Sequence, residues 1–332
     1  MENKILDVKV PSKKGSEAMR KKRIEHRHAK MNRWFAFSPI PNYRDTHGVF
    51  SRPRHFSKRV RIERLPTWAV DEKVLKYVYS YEKDHMSKAQ LAICAEYDAE
   101  ALGSPDPNWI GSLPRAIQET VTEEILLLPV ASWLVRPTTL TNSKIIHLHR
   151  EGKSAVFRQM TFHSELLIHP QELEQEIQED NIKPISVLFR AMINLSKNGT
   201  VWTSIWMLNK TLTETIWPVR FLLHWLVLES LFGPEDARET TYRLSQRIGF
   251  YLGKDRMEAK DIFLMAKDLY TWRSKIAHGL RIHKLTSEKS LQLMHNLEDL
   301  IRRSLTKVLR EDHISRFDAK SRETFLDDLV FL

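Results

Sequence analysis

Apolar residues recur every three or four positions through most of the chain after Pro170, which is the spacing of helices with one buried face. Four long segments have clear ends. Pro218 begins the first and Gly233-Pro234 ends it, and the third ends at Gly279. The predicted long helices are 218–232, 238–252, 258–278 and 286–310. Shorter helices are predicted at 171–179, 184–196, 200–215 and 321–331. Long amphipathic helices joined by short turns favour a helical bundle.

The pattern before Pro170 is mixed. Residues 34–64 are rich in proline, arginine and aromatic residues, and the alternation at Val60 and Ile62 predicts an edge strand. Spacings of three and four predict a helix over 71–101, and a further helix is expected at 115–128 after a loop. Residues 144–169 contain β-branched and aromatic residues on both sides of Gly152, which predicts a β-hairpin.

Together these patterns predict a mainly α protein with three parts. Residues 1–33 form a basic arm, of which 17–33 is a short helical run. Residues 34–170 form a smaller α+β domain that includes the hairpin, and residues 171–332 form an all-helical domain. A length of 332 residues with 42% hydrophobic residues supports a core of this extent.

Composition limits the cellular location and the disulfide, metal and cofactor chemistry expected of the protein. No apolar run reaches the roughly 18 to 20 residues of a membrane span, and the first residues lack the apolar core of an export signal. Cys94 is the only cysteine, so we expect a cytoplasmic protein without disulfides. His147, His149 and His163 make a metal site conceivable, but histidines on a half-exposed strand are the simpler interpretation. We predict no metal and no cofactor.

Positive charge is concentrated at the start of the chain. Residues 1–64 carry 18 Lys and Arg against 6 Asp and Glu, whereas the remainder carries 34 against 36. Such an arm suits a phosphate backbone, although a solvated tail, an anionic lipid surface or an acidic partner would also explain it. The residues predicted to contact nucleic acid are Arg20, Lys21, Lys22, Arg23, Arg27, Lys30 and Arg33.

The segment LYTWRSKIAHGLRIHK, residues 269–284, combines apolar positions with Arg273 and His278. An arginine offers a fixed fork to a phosphate, and a histidine near a helix end exchanges protons near neutral pH. This pair is sufficient to cleave RNA without a metal, because the ribose 2′-hydroxyl supplies the nucleophile. Five residues on an ideal helix turn through about 500°, or about 140° net, so the two side chains do not share a narrow helix face. Both can border one cleft only if the end of the helix lies next to another surface.

The same residues resemble the HEPN superfamily, in particular its Apea-like branch, whose signature is aliphatic-Tyr-x-x-Arg-Ser/Asn-x-x-x-His-Gly. Leu269, Tyr270, Arg273, Ser274 and His278-Gly279 match it. With FLLHWLVLESLF upstream and the long capped helix downstream, the resemblance covers roughly residues 212–332.

The resemblance implies a HEPN-like helical bundle that dimerises, so that two motifs meet in one cleft. It also implies a metal-independent endoribonuclease that leaves 2′,3′-cyclic phosphate and 5′-hydroxyl ends. Arg273 is expected to bind the scissile phosphate, and His278 to act in proton transfer. Glu229 lies where related bundles place an acidic residue near the cleft, but it would equally suit a structural ion pair with Arg247 or Arg273. Ser274, Lys275 and Arg281 are predicted to help bind the substrate.

These inferences predict a ribonuclease of defence or toxin type that acts on RNA, such as tRNA or phage RNA, as a homodimer or higher oligomer. Residues 34–170 would then sense a regulatory ligand or partner, or guide the substrate. One alternative is a regulatory module with a HEPN fold that binds nucleic acid or a nucleotide without turnover. Another is a helical protein that only docks partners.

Overall fold

A computed structural model defines the fold. The residues that it describes are 32–40, 43–76, 78, 83, 86, 88–97, 115–138, 140–141, 144–151, 154–163, 166, 176–234, 240–279, 285–310 and 313–331. The arm predicted over residues 1–33 therefore lies outside the described residues, except for the last two positions.

The described residues contain an antiparallel six-stranded sheet in the order β2-β3-β4-β1-β5-β6. The strands are β1 (Asn32–Ile40), β2 (Arg54–His55), β3 (Val60–Arg64), β4 (Leu91–Tyr97), β5 (Lys144–Glu151) and β6 (Ser154–Phe162). Ala36 of β1 is paired with Ala95 of β4 on one side and with His147 of β5 on the other, so β1 is a central strand. The predicted hairpin over residues 144–169 is confirmed as β5 and β6.

The helix predicted over residues 71–101 is confirmed only in part. Residues Glu72–Leu75 form α1, and Lys83, Met86 and Lys88 are helical, but residues 91–97 are strand β4. Both faces of β4 are covered, since Ile93 and Ala95 pack in the main core and Ala92 and Cys94 pack in a smaller cluster on the opposite face. A strand buried on both faces has no polar alternation, and short apolar runs of this kind fit either element.

Helices dominate the rest of the described chain. They are α2 (Arg115–Val135), α3 (Glu179–Ile193), α4 (Thr200–Thr211), α5 (Trp217–Phe232), α6 (Thr240–Leu252), α7 (Arg256–Ala277), α8 (Ser287–Arg310), α9 (Ile314–Phe317) and α10 (Arg322–Asp328). Short 3₁₀ turns lie at Thr67–Val70 and Leu329–Phe331. A mainly α protein with an antiparallel sheet in its N-terminal part is thus confirmed.

The predicted helix ends agree with the structure where capping chemistry is strong. Thr286 Oγ1 accepts a hydrogen bond from the Lys289 amide at 3.1 Å at the start of α8, and Gly279 after α7 has a φ of 65°. Proline was a poorer guide to helix ends. Helix α2 continues through Pro129, and α3 begins five residues before Pro184. Burial of apolar residues on both sides of Pro129 offsets its missing hydrogen bond.

One continuous core joins the sheet to the helices. Residues of β1, β3 and β4 belong to the same buried cluster as α2 and the helices from α3 to α8. Helix α2 contacts the sheet through β1 and β4, and it also packs against α3 and α8. The domain boundary at residue 170 stays a prediction. Among the described residues, no helix has the length and apolarity needed to cross a bilayer.

The bundle interior holds a charged cluster between α5 and α8. Arg220 Nη2 donates to Glu298 Oε1 at 2.8 Å, and His224 Nε2 lies 3.8 Å from the same oxygen. Burial lowers the pKa of His224 well below its usual 6.5, and the positive charges of Arg220 and Arg302 act in the same direction. His224 is therefore neutral in the folded protein at neutral pH.

Replacing His224 by leucine is expected to reduce acid sensitivity. Since its pKa is lower folded than unfolded, the unfolded chain binds the proton more readily, and the free energy of unfolding falls as the pH drops below about 6.5. Urea unfolding should show that the free energy of unfolding decreases less between pH 7 and pH 5 for His224→Leu than for the unsubstituted protein. The control is His55→Leu at an exposed position, and its free energy of unfolding should decrease as much as that of the unsubstituted protein. An equal decrease in all three proteins would disprove this interpretation.

Candidate active site

Helix α7 carries the sequence motif near its C-terminal end. Asp255 caps the start of α7 by accepting a hydrogen bond from the Glu258 amide at 2.9 Å. Ile262, Ala266, Leu269 and Ile276 are buried and attach one side of α7 to the bundle. This packing fixes the backbone from which Arg273 projects.

Arg273 forms an ion pair with Glu229 of α5. Arg273 Nη2 lies 3.3 Å from Glu229 Oε1, and the exposed fractions of the two side chains are 30% and 22%. The pair is therefore near the surface but partly withdrawn from water. Of the two ion-pair partners predicted for Glu229, Arg273 is the one observed. Arg247 instead pairs with Glu323 and Asp327 and donates to the Phe232 carbonyl.

The ring of Tyr270 lies beside Arg273 and packs against a second aromatic ring. Its Cζ atom lies 5.5 Å from the centre of the Tyr270 ring, at a distance suited to a cation–π contact. The Tyr270 ring meets that of Trp225 edge to face, with centres 5.1 Å apart. Trp225 lies four residues before Glu229, and Tyr270 three before Arg273, so each pair shares one helix face. The guanidinium is thus in contact with a carboxylate and an aromatic ring.

The hydrogen-bonding capacity of this pair is incompletely used. Within the described part of the chain, Glu229 Oε1 and Arg273 Nε are both buried atoms without a hydrogen-bond partner, so the ion pair holds the groups close without an aligned bond. Burial raises the pKa of Glu229, and the positive charge of Arg273 opposes that rise. Burial also raises the pKa of Tyr270, with a further contribution from Glu229. The Arg273 side chain is nevertheless 30% exposed, so N–H groups of its guanidinium other than the buried Nε can donate to a phosphate oxygen.

His278 lies at the end of the same helix. Its backbone N–H donates to the Ser274 carbonyl at 3.1 Å, and its side chain is exposed. Gly279 follows in the left-handed conformation, which turns the chain away from the helix axis. His278 follows Arg273 by five residues, so the two positions are about 140° apart around the helix. The fold thus brings Arg273 to Glu229 and Tyr270, and it leaves His278 on a different face.

The other predicted site residues have varied positions. Ser274 is exposed, and Lys275 Nζ lies 4.2 Å from the centre of the Trp272 ring. Arg281 lies outside the described residues, as do the predicted nucleic-acid contacts at Arg20, Lys21, Lys22, Arg23, Arg27 and Lys30. The backbone of Arg33 belongs to strand β1.

Sequence reasoning did not identify Trp225 as a neighbour of this site. Its spacing of four from Glu229 is a signal that could have been used, because residues so spaced are neighbours on a helix. For a metal the structure offers little: within the described ranges no group of three or more His, Cys, Asp or Glu side chains has the arrangement of a metal site. Cys94 is buried within the sheet.

Comparisons with protein-family models, curated proteins and solved structures find no match to the chain. What Arg273, Glu229, Tyr270 and His278 do is therefore inferred from their chemistry and from the sequence motif.

Proposed function

We propose that the protein is a metal-independent endoribonuclease of defence or toxin type, with a HEPN-like helical bundle that contains Arg273 and His278. The observation that carries the proposal is the contact of Arg273 with Glu229 and Tyr270 on a partly exposed surface, one and a half turns before His278. A partly exposed guanidinium and a solvent-accessible imidazole are the two groups that this reaction requires.

In the proposed reaction the ribose 2′-hydroxyl attacks the adjacent phosphorus. The new O2′–P bond forms and the P–O5′ bond breaks, which leaves a 2′,3′-cyclic phosphate and a 5′-hydroxyl. One proton leaves the 2′-hydroxyl and one reaches the departing O5′, and His278 serves this proton transfer. Arg273 donates hydrogen bonds to the phosphate oxygens, on which negative charge accumulates in the transition state.

Glu229 acts as a positioning residue in this scheme. A carboxylate 3.3 Å from Arg273 Nη2 restricts the guanidinium, and the Tyr270 ring limits its movement on another side. Restricting the donor before the substrate arrives lowers the entropic cost of orienting it in the transition state. The partly buried environment also strengthens the interaction of Arg273 with phosphate.

A second copy of the chain supplies the other surface of the cleft. Helix α5 is apolar around most of its circumference. It exposes Val219 and Leu226 to solvent, and Ile216, just before its first residue, is exposed as well. Helices that are apolar all round are usually buried. Leu226 precedes Glu229 by three residues, so a copy packed on this face lies beside the ion pair. Two chains in contact there provide two arginines and two histidines to one RNA strand.

Placing a charge on this face is expected to separate the copies. Leu226, with an exposed fraction of 37%, is replaced by glutamate. Because the carboxylate opposes apolar contact between the copies, sedimentation velocity should show a monomer. The rate of RNA cleavage should also fall. The control is Leu264→Glu on α7, where Leu264 is 51% exposed; it should stay a dimer. A monomeric unsubstituted protein at high concentration would contradict the shared cleft.

The chemistry of the RNA ends tests the proposal. Purified protein is incubated with total RNA in EDTA, and the new 3′ ends are examined for 2′,3′-cyclic phosphate. Cyclic phosphate formed in EDTA supports attack by the 2′-hydroxyl. Ends that carry a 3′-hydroxyl, or cleavage that EDTA abolishes, would contradict it.

The alternative function is binding without turnover. The concentration of positive charge in residues 1–64 favours it, since phosphate contacts by a basic arm give affinity whether or not cleavage follows. Salt-dependent RNA binding with no change in RNA length would identify a regulatory module that binds nucleic acid.

A further inference from the structure

A second group of polar side chains lies on the face of the sheet that packs toward the helices, away from Arg273. We name it the inner polar cluster and define it by Trp34, Tyr97, His147, Arg158 and Gln159. Trp34, Tyr97 and His147 are buried, and Arg158 and Gln159 are half-buried. The Trp34 and Tyr97 rings stack with centres 6.4 Å apart. The side chains of this cluster have no role in the candidate active site.

A β-bulge forms this cluster. His147 is paired with Gln159, and Leu148 is paired with Phe157, so Arg158 is an extra residue in β6. In a regular strand Arg158 and Gln159 would lie on opposite faces. Here the Cζ atom of Arg158 is 5.7 Å from the centre of the Trp34 ring, on the same face as His147. Bulges frequently redirect a side chain next to a functional site.

Three buried polar atoms of the inner polar cluster have no hydrogen-bond partner among the residues that the structure describes. They are His147 Nε2, Arg158 Nε and Gln159 Oε1. His147 Nδ1 is 3.3 Å from the Tyr97 hydroxyl oxygen. Burial raises the pKa of Tyr97 and lowers that of His147 to about 4, with His163 adding to the second effect, so both groups are neutral at neutral pH. In the tautomer in which the Tyr97 hydroxyl donates to Nδ1, His147 Nε2 carries the proton and is a donor without an acceptor.

Two positively charged side chains, Arg158 and Lys210, lie in or near the cluster. Among the described residues, no carboxylate forms an ion pair with Arg158. Lys210 of α4 lies close enough to His163 to lower its pKa, in addition to the larger effect of burial. A partly buried arginine without a counterion is costly, and an anionic ligand would compensate it.

We infer that the inner polar cluster binds the phosphate group of a small molecule, with Arg158 and His147 donating to its oxygens. A guanidinium matches the geometry of phosphate, and the His147 N–H supplies a neutral donor. Gln159 Oε1 requires a donor, which a protonated phosphate or a sugar hydroxyl provides. A carboxylate ligand has no such donor. The free anion and a nucleoside monophosphate share this chemistry.

Calorimetric titration of the full chain tests this inference. Inorganic phosphate and the four nucleoside monophosphates are titrated into the Arg273→Ala variant, so that phosphate binding at α7 does not contribute, and acetate is the carboxylate control. Phosphate or a monophosphate should bind and acetate should not. Tighter binding of a monophosphate identifies a nucleotide as the ligand, and equal affinities identify the phosphate group alone.

Substitutions in the same background locate the site. Arg158→Gln should weaken binding about tenfold or more, because it removes a charged donor. Arg64→Gln, at an exposed position on β3, should leave the affinity unchanged. Arg158→Lys keeps the charge but loses the planar fork, and it should also bind more weakly, which provides a second test if Arg158→Gln does not fold. The absence of phosphate binding to folded protein, or affinity unchanged in a folded Arg158 variant, would overturn the inference. Neither result depends on RNA cleavage.

Discussion

Replacing Arg273 by alanine is expected to lower the rate of RNA cleavage by about 10²- to 10³-fold, the effect of removing one donor that stabilises transition-state charge. The loss arises because Arg273 is the guanidinium beside the site where negative charge accumulates, and Lys275 is directed to the Trp272 ring instead. Arg273→Lys should also be strongly impaired, since an ammonium cannot replace the planar fork. The initial rate of cleavage of total RNA measures each variant.

His278→Ala is expected to reduce the same rate by about 10²- to 10⁴-fold, the usual contribution of a proton-transfer group. Lys260→Ala is the matched control, because Lys260 is an exposed residue of the same helix, and this variant should retain most of the activity. Circular dichroism verifies that each variant is folded. Full activity in a folded Arg273→Ala or His278→Ala variant would show that the residues were assigned the wrong role.

Replacing Arg247 by alanine is expected to destabilise the protein by about 1.5–3 kcal/mol, the effect of removing buried hydrogen bonds to charged groups. The exposed fraction of the Arg247 side chain is only 2%. It donates to Glu323 Oε2 and Asp327 Oδ1, both at 2.7 Å, and to the Phe232 carbonyl at 3.0 Å. Its removal leaves the carbonyl at the end of α5 without this donor and removes the buried ion pairs between α6 and α10. The free energy of unfolding in urea measures the effect.

Arg243 provides a matched control for Arg247. It lies one turn earlier on α6 and reaches the same two carboxylates, at 3.4 Å and 3.3 Å, but its side chain is 25% exposed. Arg243→Ala should therefore cost only about 0–1 kcal/mol, as expected of a pair open to water. Equal losses for the two variants would contradict the role assigned to the buried position of Arg247.

The helices were predictable where their sequence signals are local. The apolar stripe of α8 follows the helical repeat, and Thr286 and Gly279 use standard capping chemistry. Strand β4 was not predictable from its pattern, because covering both faces of the strand removes the polar alternation that identifies it. Pro129 was misleading for the opposite reason, since tertiary burial outweighs a strong local signal.

The candidate site was only partly readable from the sequence. The spacing of Arg273 and His278 is visible in the chain, but the choice of Arg273 over Arg247 as partner for Glu229 depends on how α5 packs against α6 and α7. The bulge that turns Arg158 toward Trp34 has no local signature, since the register of β5 and β6 produces it. Contacts between distant elements are therefore what the structure adds.

Incubation of total RNA with the purified protein and with its Arg273→Ala/His278→Ala double variant, both in EDTA, tests the central claim most directly. Our account predicts that the unsubstituted protein shortens the RNA and that the folded double variant leaves it intact. Cleavage by neither protein, at a concentration where the unsubstituted chain is a dimer, would contradict the ribonuclease function. Equal cleavage by both would contradict the assignment of Arg273 and His278 as the site.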